Sequence, residues 1–502
     1  MHRTHDLAGS REACNLKLAW GCKECFAGGM ASSRLNRRAF FQSTLAGGAV
    51  VPALDAAAAP APEGDFFEEP AQKLGLRDDA DVIVCGAGPA GIAAAITAAR
   101  AGARTRLFEV HGCLGGVWTA GLLTYIFDFD KPGLTREITK RLDERDARRS
   151  KHPSRFVYEP EEMKVLLEEM CADAGVKVQM FTRVSAAFRE GGRLRTIVTD
   201  SKSGRQAWRA PVFIDATGDG DLGAQAGCGW EVGQDKDCPC QPMTMNALAV
   251  VKDVKALGGF ISFNGTDEFK GPGGHLTCVE AFKAELKRAG IETSYGHPTI
   301  FPVRDDLVML MLNHEYGIKP WDAEAISEAT VRSRAEVFRV MRALRKLGGV
   351  WEGLQIAATA EQIGVRDGRR IHGRYTMTRQ DLVEGARQQD AVARVTFGVD
   401  IHAHSREKND TEAISHGDLK MRPYDIPLRA LIAKDVDGLM MAGRCISGDF
   451  ISHASYRVTG NSVAMGEAAG VVAALAAASK RLPHEVEWSE AAAKLAGMGQ
   501  RV

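Results

Sequence analysis

Two hydrophobic rhythms divide the chain. "DVIVC" (81–85) is a short, β-branched apolar run, the pattern of a strand buried on both faces. The alanine-rich "AGIAAAITAARAG" after it predicts a helix, and "RTRLFE" a second strand, so the three form a βαβ unit with parallel strands. "EPEEMKVLLEEMCADAGVKVQMFTRV" repeats the alternation. Met163, Leu166, Leu167 and Met170 fall at helical spacing, and "VKVQMFT" follows as a strand. "VSAAFRE" and "LRTIVTD" flank a turn at Gly191 and Gly192, and "QAWRAPVFIDATG" returns to a buried strand. Beyond Gly233 the rhythm changes to long charged helical patterns such as "AEAISEATVRSRAEVFRVMRALRKL", with loops rich in Gly, Pro and His. Residues 235–415 therefore read as an inserted α+β domain. From "IPLRALIAKDVDGLMMAGR" the first pattern resumes, with a strand over 438–442 and a small-residue helix, "NSVAMGEAAGVVAALAAASK". Glu467 and the many alanines make that helix an internal packing element rather than a membrane span. No internal repeat is visible. The expected fold is α/β, a parallel sheet interrupted by an insert.

Composition narrows the class. Across 502 residues, Lys+Arg and Asp+Glu both total 64, which gives no electrostatic reason to expect nucleic acid or an anionic membrane as partner. The 11 cysteines are dispersed, unlike a disulfide scaffold, and Cys85, Cys171 and Cys445 sit in apolar segments as small hydrophobes. The N-terminal part reads as a leader. Arg37 and Arg38 precede Ala39, Phe40 and Phe41, then a mildly apolar stretch and an alanine run; this resembles a twin-arginine signal. We divide the chain into an upstream leader (1–29), a twin-arginine-type signal (30–59, with Met30 as the expected start), and a linker (60–77). The first part of the nucleotide domain (78–234), the insert (235–415), its second part (416–482) and a C-terminal tail (483–502) follow. A periplasmic or secreted location is expected, with the cytoplasm as alternative. His2, His5, Cys14, Cys22 and Cys25 lack the second matched pair a zinc site needs, and no metal is expected.

Chemistry enters at Gly86, Gly88 and Gly91. In G-x-G-x-x-G spacing the first allows a tight turn, the second lets backbone approach a pyrophosphate, and the third lets helix pack on strand. Pro89 and Ala90 open the helix, whose N–H groups would face the phosphates. Glu109 ends the second strand where a carboxylate can bond ribose hydroxyls, and no arginine follows it to receive a 2′-phosphate. A nicotinamide dehydrogenase would complete its sheet with a second nucleotide-binding half, whereas here the C-terminal segment closes it. "GAGPAGIAAA", "LGGVWTAGLL", "FIDATGDGDLGAQAG", "GVRDGRRIHGRY" and "GLMMAGRCISGDFISHASYRVTGNSVAMGEAAG" together resemble the FAD-dependent oxidoreductase family, allied to the glutathione-reductase-type FAD fold. The resemblance runs from about residue 80 to about residue 480. It implies a Rossmann-like FAD-binding domain interrupted by a substrate or cap domain, with FAD as cofactor. Gly86, Gly88, Pro89, Ala90 and Gly91 would cradle the pyrophosphate and Glu109 the adenosine ribose. Gly115 and Gly116 would run beside ribityl or flavin, and Ala216, Thr217 and Gly218 against the adenosine side. Gly443 and Arg444 follow the last strand, Asp449 would bond ribityl or phosphate, and the helix opening at Gly460, Asn461 and Ser462 would aim its dipole at the flavin.

Catalytic candidates stand just before that helix. His453 and Arg457, in H-x-x-x-R spacing before Gly-Asn, are similar to a stretch in fumarate-reductase flavoproteins, whose arginine holds substrate carboxylate. An arginine offers a planar fork for carboxylate or oxyanion, and a histidine moves protons near neutral pH. Other fumarate-reductase substrate words are missing, so a dicarboxylate is not implied. In "DIHAH", His402 and His404 alternate beside Asp400 and would line the substrate cavity or bind metal; the ligand count is short for a metal. "GVRDGRRIHGRY" carries four arginines, read either as a salt-bridged surface or as a segment packed across the flavin domain. Cys238 and Cys240 form a sterically tight C-x-C. Asp215, Asp219 and Asp221 lack the glutamate of a calcium loop, and FAD is expected to dissociate rather than be tethered at His111 or Cys113. The expected function is an exported FAD-dependent enzyme moving hydride between flavin N5 and a small organic substrate. A monooxygenase or halogenase, though without a second glycine motif for NADPH, and a flavin-binding protein without turnover are the alternatives. No motif specifies the electron acceptor or the oligomeric state.

Overall fold

The computed structural model describes residues 66–149, 152–234, 240–261, 274–415 and 417–499. The readings made for 1–29 and 30–59, and that for Cys238, lie outside the described residues. All described residues belong to one compact unit, Leu54–Val502.

The chain enters through β1 (Val82–Cys85), all four residues buried, and α1 (Pro89–Arg100), with proline at its start. β2 (Thr105–Phe108), α2 (Leu134–Glu144), α3 (Pro160–Asp173) and β3 (Lys177–Gln179) continue the alternation. Three antiparallel strands follow, β4 (Thr182–Glu190), β5 (Arg193–Ser201) and β6 (Gly204–Arg209), before β7 (Val212–Asp215) returns to the core. The insert is built from β8 (Asn246–Val250), α4 (His275–Arg288), β9 (Thr299–Arg304), β10 (Leu307–Met311), α5 (Ala323–Leu347) and β11 (Gln355–Thr359). β12 (Leu439–Met441), α6 (Phe450–Tyr456) and α7 (Thr459–Ser479) close the nucleotide domain.

The main sheet has the order β12-β7-β1-β2-β3 and is parallel throughout. This is the α/β, Rossmann-like architecture, completed by a strand from the far end of the chain. The insert's sheet, β9-β10-β8-β11, is antiparallel. Its own apolar core runs from Ala247 to Leu354, whereas Ile371, Val392 and Ile401 pack into the nucleotide domain's core. The span 235–415 thus divides in two, with its last part covering the nucleotide domain. A third cluster joins Leu122, Tyr125 and Val157 to Met245, Phe301 and Ile363, which stitches insert to nucleotide domain.

Among the described residues one helix, α7, is long and apolar enough to cross a membrane, but 78% of its apolar window is buried within the protein. Its faces are filled by α1 and the main sheet, as its small residues require.

Candidate functional site: a cavity between sheet and insert

The loop from β1 into α1 is shaped by what it leaves out. Gly86 has φ 95°, and a Cβ there would lie 2.9 Å from Thr217 Cα and on the Ala216 carbonyl. A Cβ on Gly91 would overlap the Gly86 carbonyl oxygen, so α1 can dock this close to the turn only with glycine. The first turn of α1 has no side-chain cap and no acidic residue. Its N–H groups and the positive end of its dipole are therefore available to an anion. Glu109 closes the turn: Oε2 accepts from Ala87 N at 2.6 Å and Oε1 from His111 N at 2.9 Å. A carboxylate has about four lone-pair sites, so acceptor capacity remains for a sugar hydroxyl. Opposite, Asp215 at the end of β7 accepts from Thr217 and Gly223. Burial pushes its carboxyl up to about 6 against those bonds.

From this turn a cavity of about 1220 Å³ extends to the insert. Its near end is lined by Gly86, Gly88, Glu109, Ala216, Gly218 and Arg444. A second uncapped helix start, that of α7 at Val458 and Thr459, also faces it. The residues fit a flavin dinucleotide: a bare helix N-terminus and a glycine turn for the pyrophosphate, a buried carboxylate for the ribose, and enclosed length for the rest.

The far end is polar in its floor and aromatic in its walls. Arg457 Nη2 donates to the Asp400 carbonyl at 2.9 Å and lies 3.4 Å from both Asp400 Oδ2 and Gln241 Oε1. Arg366 Nη1 donates to Pro242 O and Thr244 Oγ1, each at 2.7 Å. His402 Nε2 stands 3.6 Å from Asp400 Oδ2, and the His402 ring meets the buried His314 edge-on at 5.0 Å. Burial, then the neighbouring Arg366 charge, lowers His402 to about 4; burial chiefly holds His314 well below the usual histidine range. Both imidazoles are neutral near pH 7. Tyr295 lies over His314 at 4.0 Å, and burial raises its phenol well above the usual range. Tyr125, Phe127, Phe301 and Phe397 supply the walls, with ring centroids 4.7 to 5.3 Å apart in successive pairs.

Of the residues singled out in the sequence, Gly86, Gly88, Pro89, Ala90, Glu109, Gly116, Ala216, Thr217, Gly218, Gly443, Arg444, Arg457 and Ser462 line this one cavity. Gly91, Gly115, Gly460 and Asn461 sit behind its wall; a Cβ on Gly460 would overlap the Asp128 carbonyl. Asp449 caps α6, accepting from Ser452 N at 2.6 Å and from Arg379 N at 2.6 Å. His453 is buried outside the lining, edge-on to Tyr456, and burial holds its imidazole well below the usual pKa. His402 lines the cavity, whereas His404 lies 3.5 Å from Glu412. Cys240 is disulfide-bonded. No group of three or more metal-ligating side chains occurs among the described residues. Sequence reading missed Arg366, Tyr295 and His297 as cavity residues. Only "GVRDGRRIHGRY", already set apart by its arginines, held a signal for any of them.

No curated protein matches the chain in sequence. Some solved structures are similar to it at low identity. A geranylgeranyl bacteriochlorophyll reductase-like protein of Thermoplasma acidophilum is 16% identical with TM-score 0.43, covering 81% of this chain and 80% of its own. A flavin-dependent brominase is 11% identical with TM-score 0.43, covering 84% of each chain. A myxobacterial chondrochloren halogenase is 12% identical with TM-score 0.42, covering 83% and 77%. Likeness of this degree carries no argument about this chain. The family model described as FAD dependent oxidoreductase, by contrast, matches residues 81–495, from the first strand of the parallel sheet through α7 and beyond. The chain belongs to the FAD dependent oxidoreductase family and is an enzyme whose cofactor is FAD.

Proposed function

We propose that the enzyme passes a hydride between its flavin and a small organic molecule held at the insert end of the cavity. The observation that carries this reading is continuity: the glycine cradle and the side chains of Arg366, His402 and Arg457 line one volume. Bound FAD supplies a two-electron redox centre. The chain supplies position and field. Arg457 lines the cavity, and its guanidinium holds a polar group of the substrate. Neutral His402 carries one donor and one acceptor nitrogen, and so holds or moves a proton at the ring edge facing Asp400. Tyr295 keeps its hydroxyl proton and donates it in a hydrogen bond. The aromatic walls exclude water, which strengthens each of these interactions. The uncapped start of α7 stabilises negative charge developing nearby. Export to the periplasm or outside the cell is a second proposal, carried by Arg37 and Arg38 of the leader.

The test is an anaerobic screen of purified protein against sugars, hydroxy acids and enoates, followed by the flavin's visible absorbance. Bleaching by one class, reversed by an artificial electron acceptor, is expected. Bleaching by NADPH alone, with colour and peroxide returning on aeration, would replace this reading with an oxygen-using one. Colour unmoved by every reductant of both kinds would make the protein a flavin carrier.

A further inference from the structure

We propose that the substrate is an organic acid with an apolar body, and that Arg366 receives its carboxylate with Arg457 as the second arm. This rests on the reading of the insert end of the cavity as the substrate site, and it names what that site takes.

Charge balance supplies the argument. Three guanidiniums, of Arg366, Arg370 and Arg457, stand near two carboxylates, those of Asp367 and Asp400. Arg370 and Asp367 close on one another at 3.2 Å, both buried, and the remaining N–H groups of Arg370 go to the carbonyls of Gly448 and Gly233. Asp400 is shared by Arg457 and His402. Arg366 has no carboxylate within ion-pair distance among the described residues. Its Nη1 is held by two neutral oxygens, and its Nη2 meets only the Met311 sulfur, at 4.0 Å. The imidazoles leave this count unchanged, because burial keeps His402 and His314 neutral. One positive charge is left over.

That surplus is costly where it sits. What remains accessible of Arg366 faces the cavity, and burial lowers its guanidinium to about 10, still protonated at neutral pH. An enclosed charge without a counterion is unfavourable, and an arriving anion offsets this. Other arginines at the cavity differ in setting: Arg155 and Arg183 are exposed to water, whereas Arg444 is answered by Asp219 at 2.6 Å and Arg369, at its edge, by Asp221 at 2.8 Å. Arg366 differs from them in this respect. A single surplus charge on a planar fork suits a monoanionic carboxylate better than a dianionic phosphate. The rings of Tyr125, Phe127, Phe301 and Phe397 in the same cavity suit an apolar or aromatic remainder.

The experiment reads binding. FAD-loaded protein is titrated with acetate, phenylacetate and cinnamate, and with the matching primary amides, by calorimetry and by perturbation of the flavin spectrum. Each acid should bind at least about tenfold more tightly than its amide, and the aryl acids more tightly than acetate. Arg366→Met should erase the preference for acid over amide while FAD content stays unchanged. Arg366→Lys keeps the charge and loses the fork, so its preference should be intermediate. Equal binding of acid and amide, no binding of any acid, or loss of FAD in Arg366→Met would overturn the proposal, the last by placing the arginine on the cofactor. Should Arg366→Met not fold, Arg366→Lys decides, and a preference unchanged from the parent overturns it. Protein that discriminates acid from amide, yet is bleached by no candidate, would lose the hydride-transfer reading and keep this one.

Discussion

An alanine at Gly88 and an alanine at Gly91 ask different questions of the same turn. A Cβ on Gly88 meets no protein atom within 4 Å and points into the lined cavity, and φ −67° there is open to any residue. A Cβ on Gly91 collides with the Gly86 carbonyl, backbone against backbone. Gly88→Ala should therefore leave the FAD-free protein's melting temperature unchanged and weaken FAD at least about tenfold. Gly91→Ala should cost about 1–3 kcal/mol in the FAD-free protein itself, as overpacking does. Thermal melts with and without FAD check both, and a melting temperature lowered equally by the two variants would refute the distinction. These glycines were legible in the sequence because steric demand shows in residue type. Arg366 was not. A run of four arginines looks the same facing water or lining a cavity, and its side is set by the distant pairing of Arg370 and Ile371 with Trp230 and Glu231. His453 shows the converse: proton-transfer chemistry suggested a role, but α6 turns the ring into the core, where it touches Tyr456.

At the scale of elements, α7 does more than close the domain. Gly466 and Gly470 bring it against the carbonyls of Ala90 and Ala94 in α1, so the helix that cradles phosphate is held by one whose own start faces the cavity. Between those glycines Glu467 points away and accepts from the N–H of Leu134, capping α2 at 2.8 Å. Burial raises its carboxyl from 4.5 to about 8, opposed by that bond and by Arg100. The folded protein therefore holds a proton here that the unfolded chain has released. The stability this contributes is full below about pH 4.5, falls as pH rises, and is gone above about pH 8. The swing is on the order of a few kcal/mol. Glu467→Gln keeps the acceptor and removes the titration, so it should gain steadily on the parent between about pH 5 and pH 8 in denaturant unfolding. Parallel pH profiles for the two would show that Glu467 does not hold the proton. The sequence announced this helix through its small residues, and it announced α5 through charged periodicity over the residues observed, Ala323–Leu347. It could not announce that the insert splits near residue 370. Which core an apolar residue such as Ile371 or Val392 joins depends on tertiary pairing rather than local pattern.

Among the described residues three apolar cores adjoin the main cavity, and that cavity lies where chain segments far apart in sequence meet. Its lining draws on the first turn, on the end of β7, on the insert's strands, and on the segment before α7. The third core joins nucleotide domain to insert directly through Tyr125 and Phe301, whose rings stand 5.3 Å apart, so the two are held together even without a ligand. FAD seated along this seam would bind only the assembled form, because unfolding scatters its contacts over the sequence. Ligand that binds the folded state alone stabilises it by RT ln(1 + [L]/Kd), about 2.7 kcal/mol at a hundredfold excess over Kd. Melting of the FAD-free protein should thus rise by several degrees as FAD is added, continuing to climb logarithmically after the site is saturated. The effect should survive in Arg366→Met, whose changed residue is assigned to the other occupant of the cavity. A melting temperature indifferent to FAD would mean that the cofactor's binding is not coupled to the fold. A rise abolished by Arg366→Met would mean that cofactor and acid compete for one guanidinium, and the two ends of the cavity would have to be read as a single site.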